Sequence, residues 1–331
     1  MSFKNLALLL GLGLLLTACD FKKPQYPPHE RPTLYNTISS DGKLVATLER
    51  IGTATPLLRI KWLDKDEPWQ ELPAPMFTTS IRFGLKGYEL LMTHRLPNDL
   101  SIGQLTRWDV SDLNKESQTI YQGPYLAFPV EVKPDEMLVR TCDPKGYGGQ
   151  DSCQRGPGSY WILVKPGHEP MRVTPKGVFL VYDQPNVTDK GFFWVSRKPA
   201  DPDPNPKHPE LLAFPLPGGE APSFDVTRVE ADESVECDRA VQRCLRIFVK
   251  GTHPIDSPYF GKFIFAPEIL HGAQACKVEG VSGYFDERSF TPNGLTAVMA
   301  LAPTADQPRH VVVMRFKPGQ CEPTSIEQLN R

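Results

Sequence analysis

The sequence has no apolar run long enough to cross a bilayer. Its longest, residues 6–16, is built of leucine, alanine and glycine. At about 1.5 Å per helical residue it reaches roughly 17 Å, against a hydrocarbon interior of about 30 Å. Neither sign of charge dominates: 37 basic and 39 acidic residues leave a net charge of −2, which argues against nucleic acid or another polyelectrolyte as partner. The seven histidines are scattered without a His-x-His or His-x-x-x-His pair, and no Cys-x-x-Cys occurs, so no zinc centre is expected. Gly280-Val281-Ser282-Gly283 falls short of a Gly-x-Ser-x-Gly nucleophile elbow, and no α/β segment follows it. Gly146-Tyr147-Gly148-Gly149 would need a following helix to cradle phosphate, whereas 160–164 reads as a strand. Residues 201–205 alternate aspartate and asparagine with proline, but Pro206 and Leu212 stand where a calcium loop needs glycine and glutamate. No cofactor is expected.

What is present points to strands. Apolar runs are short and rich in β-branched and aromatic residues, at 44–48, 57–63, 160–164, 245–249 and 311–316. With 34 prolines and 25 glycines punctuating the chain, helices are expected only as one-turn pieces, such as the tail 325–329. The fold class is all-β. A tight turn feeding a strand opens at Ser40-Asp41-Gly42-Lys43-Leu44-Val45-Ala46 and recurs around Gly87, Asp135, Gly191 and Gly294. The spacing is roughly 50 residues, except that the last interval is about double, which predicts a disguised copy at 237–244. Six such units match four-stranded propeller blades, each with an apolar face that only a neighbouring blade buries. Trp62, Trp108 and Trp161 recur at comparable places and are expected between blades. The end of the chain, 311–316, is expected to meet 35–38 and close the ring.

At its repeat positions the sequence resembles the TolB-like propeller family, whose blades carry a Ser-x-Asp-Gly-Lys-x-Val-Ala type turn; residues 40–46 match it best. Leu16-Thr17-Ala18-Cys19, behind Lys4 and the apolar run, resembles the lipobox of bacterial lipoproteins. That resemblance implies a signal peptide over 1–18 and lipidation of Cys19, which becomes the new N-terminus. Residues 19–33, polar and proline-rich, then read as a tether, followed by a propeller over 34–323 and a C-terminal tail over 324–331. Asp20 resembles the inner-membrane retention signal of enterobacterial lipoproteins, yet Phe21 does not strengthen it, so inner and outer membrane both stay open. The expected location is the bacterial envelope, facing the periplasm, with the lipid as the contact to membrane. Beyond Cys19, an even set of cysteines suits export. Proximity pairs Cys142 with Cys153 and Cys237 with Cys244, leaving Cys276 for Cys321.

These features predict a non-enzymatic platform for envelope proteins or peptides, with Tyr147, Asp201 and Asp203 as candidate loop contacts. The alternatives are a calcium-dependent lactonase-like hydrolase or sugar dehydrogenase, and an accessory lipoprotein of a transport or secretion system. The enzymatic alternative would draw on Asp183, Asn186, Glu230 and Asp286, which precede or enter expected inner strands.

Overall fold

The computed structural model describes residues 33–50, 56–143, 159–175, 184–196, 210–229, 234–254, 256–257, 261, 263–302 and 309–329. These form six antiparallel sheets, each from one contiguous stretch of chain. The first blade comprises β1 (Thr33–Ile38), β2 (Leu44–Arg50), β3 (Leu57–Trp62) and β4 (Gln70–Pro73). The second has β5 (Thr78–Phe83), β6 (Glu89–Leu96), β7 (Asp99–Asp109) and β8 (Gln118–Pro124). The third has β9 (Ala127–Lys133), β10 (Glu136–Cys142), β11 (Ser159–Val164) and β12 (Met171–Arg172). The fourth shows β13 (Asn186–Val187), β14 (Gly191–Ser196) and β15 (Glu210–Pro215) among the described residues. The fifth has β16 (Ser234–Cys237), β17 (Arg243–Thr252), β18 (Phe263–His271) and β19 (Gln274–Lys277). The sixth closes the set with β20 (Tyr284–Phe290), β21 (Thr296–Ala302), β22 (His310–Arg315) and β23 (Ser325–Leu329). This is the six-bladed propeller that the repeat and the TolB-like resemblance implied.

Alternation makes the blades and stacking makes the ring. In β3, Leu58 and Ile60 are buried while their neighbours are half-exposed. Six apolar clusters then fill the six blade junctions. Trp62, Trp108 and Trp161 all lie on third strands of their blades. Trp62 meets Tyr88 of the next blade edge-on at 4.7 Å, and Trp161 meets Trp194 of the next at 5.3 Å.

The recurrent turn joins each blade's first strand to its second. In the first blade the hydroxyl that closes it belongs to Ser39, one residue before the expected repeat: Ser39 Oγ donates to Asp41 Oδ1 (2.7 Å) and accepts from Leu44 N (2.9 Å). Thr291, Asn293 and Thr296 N repeat these bonds at 2.7 and 3.0 Å in the sixth blade. Gly42 and Gly294 take φ of 74° and 66°, the left-handed region where glycine is unstrained. A Cβ on Gly294 would also stand 2.3 Å from Asp238 of the fifth blade. The disguised copy is there: Cys237 and Cys244 are disulfide-bonded across the turn, and Asp238 accepts from Gln242 N and Arg243 N.

One expectation needs correction. Residues 325–329 are not a helical turn but the outer strand β23, paired with β22, so the sixth blade runs to Leu329. The end of the chain meets the first blade as expected, by packing and not by strand pairing. Val311 and Val313 pack in one cluster with Ile38 and Val45, yet β22 hydrogen-bonds to β21 and β23 and β1 to β2. The second disulfide, Cys276–Cys321, ties the outer strand of the fifth blade to the β22–β23 connection of the sixth. Cys142 is disulfide-bonded; its expected partner, Cys153, lies outside the described residues.

Candidate functional site

Six first strands surround the central channel, and all run the same way. Their C-terminal ends, at Ile38, Phe83, Glu131, Val187, Cys237 and Phe290, converge on one cavity of about 50 Å³. We call this end of the disc the turn face, because the six first turns ring it, and the opposite end the entry face, because the first strands begin there. An innermost strand is a sheet edge whose outward N–H and C=O groups have no ladder partner. Side chains from adjacent blades supply them. Thr37 Oγ1 accepts from Phe83 N (3.1 Å), Ser80 Oγ from Phe128 N (2.8 Å), and Asn186 Oδ1 from Cys237 N (2.5 Å). Asn186 Nδ2 donates to Val235 O (3.2 Å), and Asn36 Nδ2 donates to Glu287 O (2.5 Å).

Charges cross the channel itself. Arg82 of the second blade donates to Glu236 of the diametrically opposed fifth blade at 2.9 Å, and also to Gln184. Arg239 of the fifth blade donates to the carbonyls of Glu131 (2.5 Å) and Val132 (2.9 Å) in the third, and to Asp189 (3.1 Å) in the fourth. The Glu131 carboxylate, buried, accepts from Leu85 N at 2.5 Å, Asp135 N at 2.9 Å and Arg107 at 3.2 Å. Burial pushes the Asp238 carboxyl up, against the backbone donors of Gln242 and Arg243. Burial also pushes the Arg239 guanidinium down, with Asp189 opposing.

Few of the residues singled out from sequence enter this arrangement. Asn186 does, as a bridge between the fourth and fifth blades. Asp286 lies on β20. Cys19, Tyr147, Cys153, Asp183, Asp201, Asp203 and Glu230 lie outside the described residues. Among the described residues no group of three or more His, Cys, Asp or Glu side chains is gathered as a metal site needs, and no helix is long and apolar enough to cross a membrane. Sequence reading missed Arg82, Glu131, Glu236 and Arg239. Two left a trace: Ile81-Arg82-Phe83 and Val130-Glu131-Val132 each set a charge inside an apolar strand.

No protein-family model matches the sequence, and no curated protein does. Solved structures match its fold. An acylaminoacyl peptidase in complex with Z-Gly-Gly-Phe-chloromethyl ketone aligns with a TM-score of 0.51 at 9% identity, over 92% of this chain and 46% of its own. The β-propeller domain of the Trilobed protease from Pyrococcus furiosus, described as having an open velcro topology, gives 0.49 at 9%, over 92% and 84%. TolB from Acinetobacter baumannii gives 0.37 at 13%, over 86% and 52%. At such identities the likeness is one of fold alone, and this chain spans less than half of the peptidase.

Proposed function

We propose that the chain is a lipid-anchored envelope protein whose propeller is a non-enzymatic platform for proteins or peptides. The observation that supports this most is the wired channel. A reacting group needs a free lone pair and room for substrate. Here Glu236 is held by a guanidinium, and Glu131 by a guanidinium and two backbone N–H groups. The cavity of about 50 Å³ holds a few waters and is far below the roughly 300 Å³ at which small-molecule pockets begin. Away from the channel the disc offers loops on two faces and an open cleft of about 470 Å³ beside Pro73, Trp108 and Lys115, a scaffold suited to recognising other macromolecules. The export reading rests on residues 1–19 and gains support from the two cysteine pairs that are bonded. Inner and outer membrane are both compatible with it.

Chemical crosslinking of the intact chain in its native membranes tests this function. The expected result is one envelope protein recovered in fixed stoichiometry, with crosslinks mapping to one face. A blank, together with calcium-dependent turnover of lactones by the purified chain, would replace the platform with an enzyme.

A further inference from the structure

Among the described residues the fourth blade stops one strand short of the others. The other five each carry a fourth, outermost strand: β4, β8, β12, β19 and β23. Beyond β15 the described residues 216–229 hold no strand. They make a turn in which Gly219 N donates to Leu216 O (2.8 Å), then a single 3₁₀ turn over Val226–Arg228. Between the two, Phe224 stacks on Phe193 at 5.7 Å. The stretch thus folds over the face of the blade that meets the fifth, instead of running alongside β15.

The register tells which backbone groups this leaves over. Leu216 N donates to Lys190 O at 3.0 Å, and bonded and non-bonded pairs alternate along an antiparallel ladder. Phe214 opposite Phe192 and Leu212 opposite Trp194 are therefore bonded pairs, while Leu211, Ala213 and Pro215 turn their backbone groups outward. In the first blade Leu63 N donates to Lys43 O in the same way, and the outward Leu58 and Ile60 face Leu72 and Gln70 of β4. Among the described residues nothing takes the outward groups of Leu211 and Ala213. The edge is apolar as well. Leu211 to Phe214 are all half-buried, whereas three of the four residues of β4 and four of the five of β23 are exposed. An open edge is a template for another strand, and this one has apolar side chains on both faces.

We propose that the outer edge of β15 is a docking site for an extended, apolar segment of a partner protein, which completes the fourth blade as its outermost strand. The proposal rests on the platform reading above and names the partner's chemistry. The segment runs antiparallel to β15, accepts from Leu211 N and Ala213 N, and donates to the carbonyls of Leu211, Ala213 and Pro215. Pro215 has no N–H and asks for no acceptor. Val173 shares a cluster with Leu212 and Phe214 toward the third blade, and Phe224 shares one with Leu211 and Ala213 toward the fifth. Side chains of the segment therefore meet apolar surface on both faces, which suits leucine, isoleucine, valine or phenylalanine and rejects proline or a charge in the middle. A second copy of this chain fits less well. Leu211–Pro215 offers a strip about 17 Å by about 10 Å, or roughly 170 Å², against about 800 Å² per partner in a stable interface between folded proteins. Pairing of a single strand needs no wider contact.

The test uses the full chain and a fluorescein-labelled peptide, Lys-Val-Leu-Val-Leu-Val-Lys. Its valines are N-methylated, so that one hydrogen-bonding edge remains and the peptide cannot stack on itself. Fluorescence anisotropy should rise saturably with this probe, and not with the same peptide methylated at every residue. Ala213→Pro removes an outward N–H but no rung of the β14–β15 ladder. It should weaken binding roughly tenfold or more, while Ala213→Ser binds as the unaltered chain does. The peptide should also slow hydrogen exchange at the Leu211 and Ala213 amides, a readout that stands even where Ala213→Pro lowers the melting temperature. No saturable rise, equal binding of the fully methylated peptide, or unchanged exchange at those two amides overturns the proposal. Sedimentation of the chain alone as a dimer that Ala213→Pro dissociates would give the edge to a second copy, and overturns it too. The crosslinking in native membranes separates this proposal from the reading beneath it. A partner recovered equally with and without Ala213→Pro leaves the platform standing and overturns the edge; a blank overturns the platform, and the edge's partner with it.

Discussion

Glu131 joins three parts of the ring at one carboxylate: the first turn of the second blade through Leu85 N, that of the third through Asp135 N, and β7 through Arg107. Replacing it by alanine leaves the N–H groups of Leu85 and Asp135 without this acceptor, and leaves Arg107 to Asp135 and Glu89 alone. Glu131→Ala should cost about 3 kcal/mol, and Glu131→Gln, which keeps one oxygen, should cost less; urea unfolding of the two variants checks the order. Tyr88 marks a pH response. Its hydroxyl donates to Asp41 at 2.8 Å, joining the first two blades, and burial together with Asp41 pushes the phenol up from its ordinary value of 10.0 to about 12. Folded protein then holds a proton that the unfolded chain releases, so this contribution is whole below pH 10.0 and is lost towards about 12. Melting temperature against pH should fall through that window, and Tyr88→Phe should flatten the fall. Neither residue announces such a role in sequence, because each acts through a partner tens of positions away.

At the level of strands, periodicity reported what was buried and was silent on what was not. Runs such as 57–63 and 311–316 declared themselves because their apolar residues had to face a neighbouring blade. Ser325–Leu329 has four exposed residues and one buried, so no pattern marked it, and pairing with β22 rather than propensity makes it a strand. Removing 324–331 should bare the edge of β22 and drive association, seen as a concentration-dependent rise in light scattering. The disulfides differ in reach. Cys276 and Cys321 are 45 residues apart and Cys237 and Cys244 only 7. In the loop-entropy description these are worth about 4 and about 2 kcal/mol. Serine replacement of the long pair should therefore lower the melting temperature more than replacement of the short one, measured without reductant.

For the molecule as a whole, the blade count was legible because each first turn needs its own glycine, aspartate or hydroxyl, and those recur along the chain. Even the masked copy was findable, since a disulfide does there what an Asp-Gly turn does elsewhere. The channel was not legible. Arg82 and Glu236 meet across the axis from opposed blades, and nothing in their local sequence names the other. Membrane attachment belongs to this scale too: Cys19→Ala should leave a folded chain in the soluble fraction, and membrane partition that survives high salt in that variant would rule out the lipid.

The placement of β1 also has a mechanical side. It is bonded along its whole length to β2, with six residue pairs in register from Thr33–Arg50 to Ile38–Val45, and it lies along the disc axis with Thr33 at its outer end. A pull delivered through residue 33 along that axis loads the whole ladder in shear instead of peeling it one bond at a time. The chain is thus gripped at its N-terminal end in the direction a sheet resists best, and a tug from that side moves the disc before it unravels it.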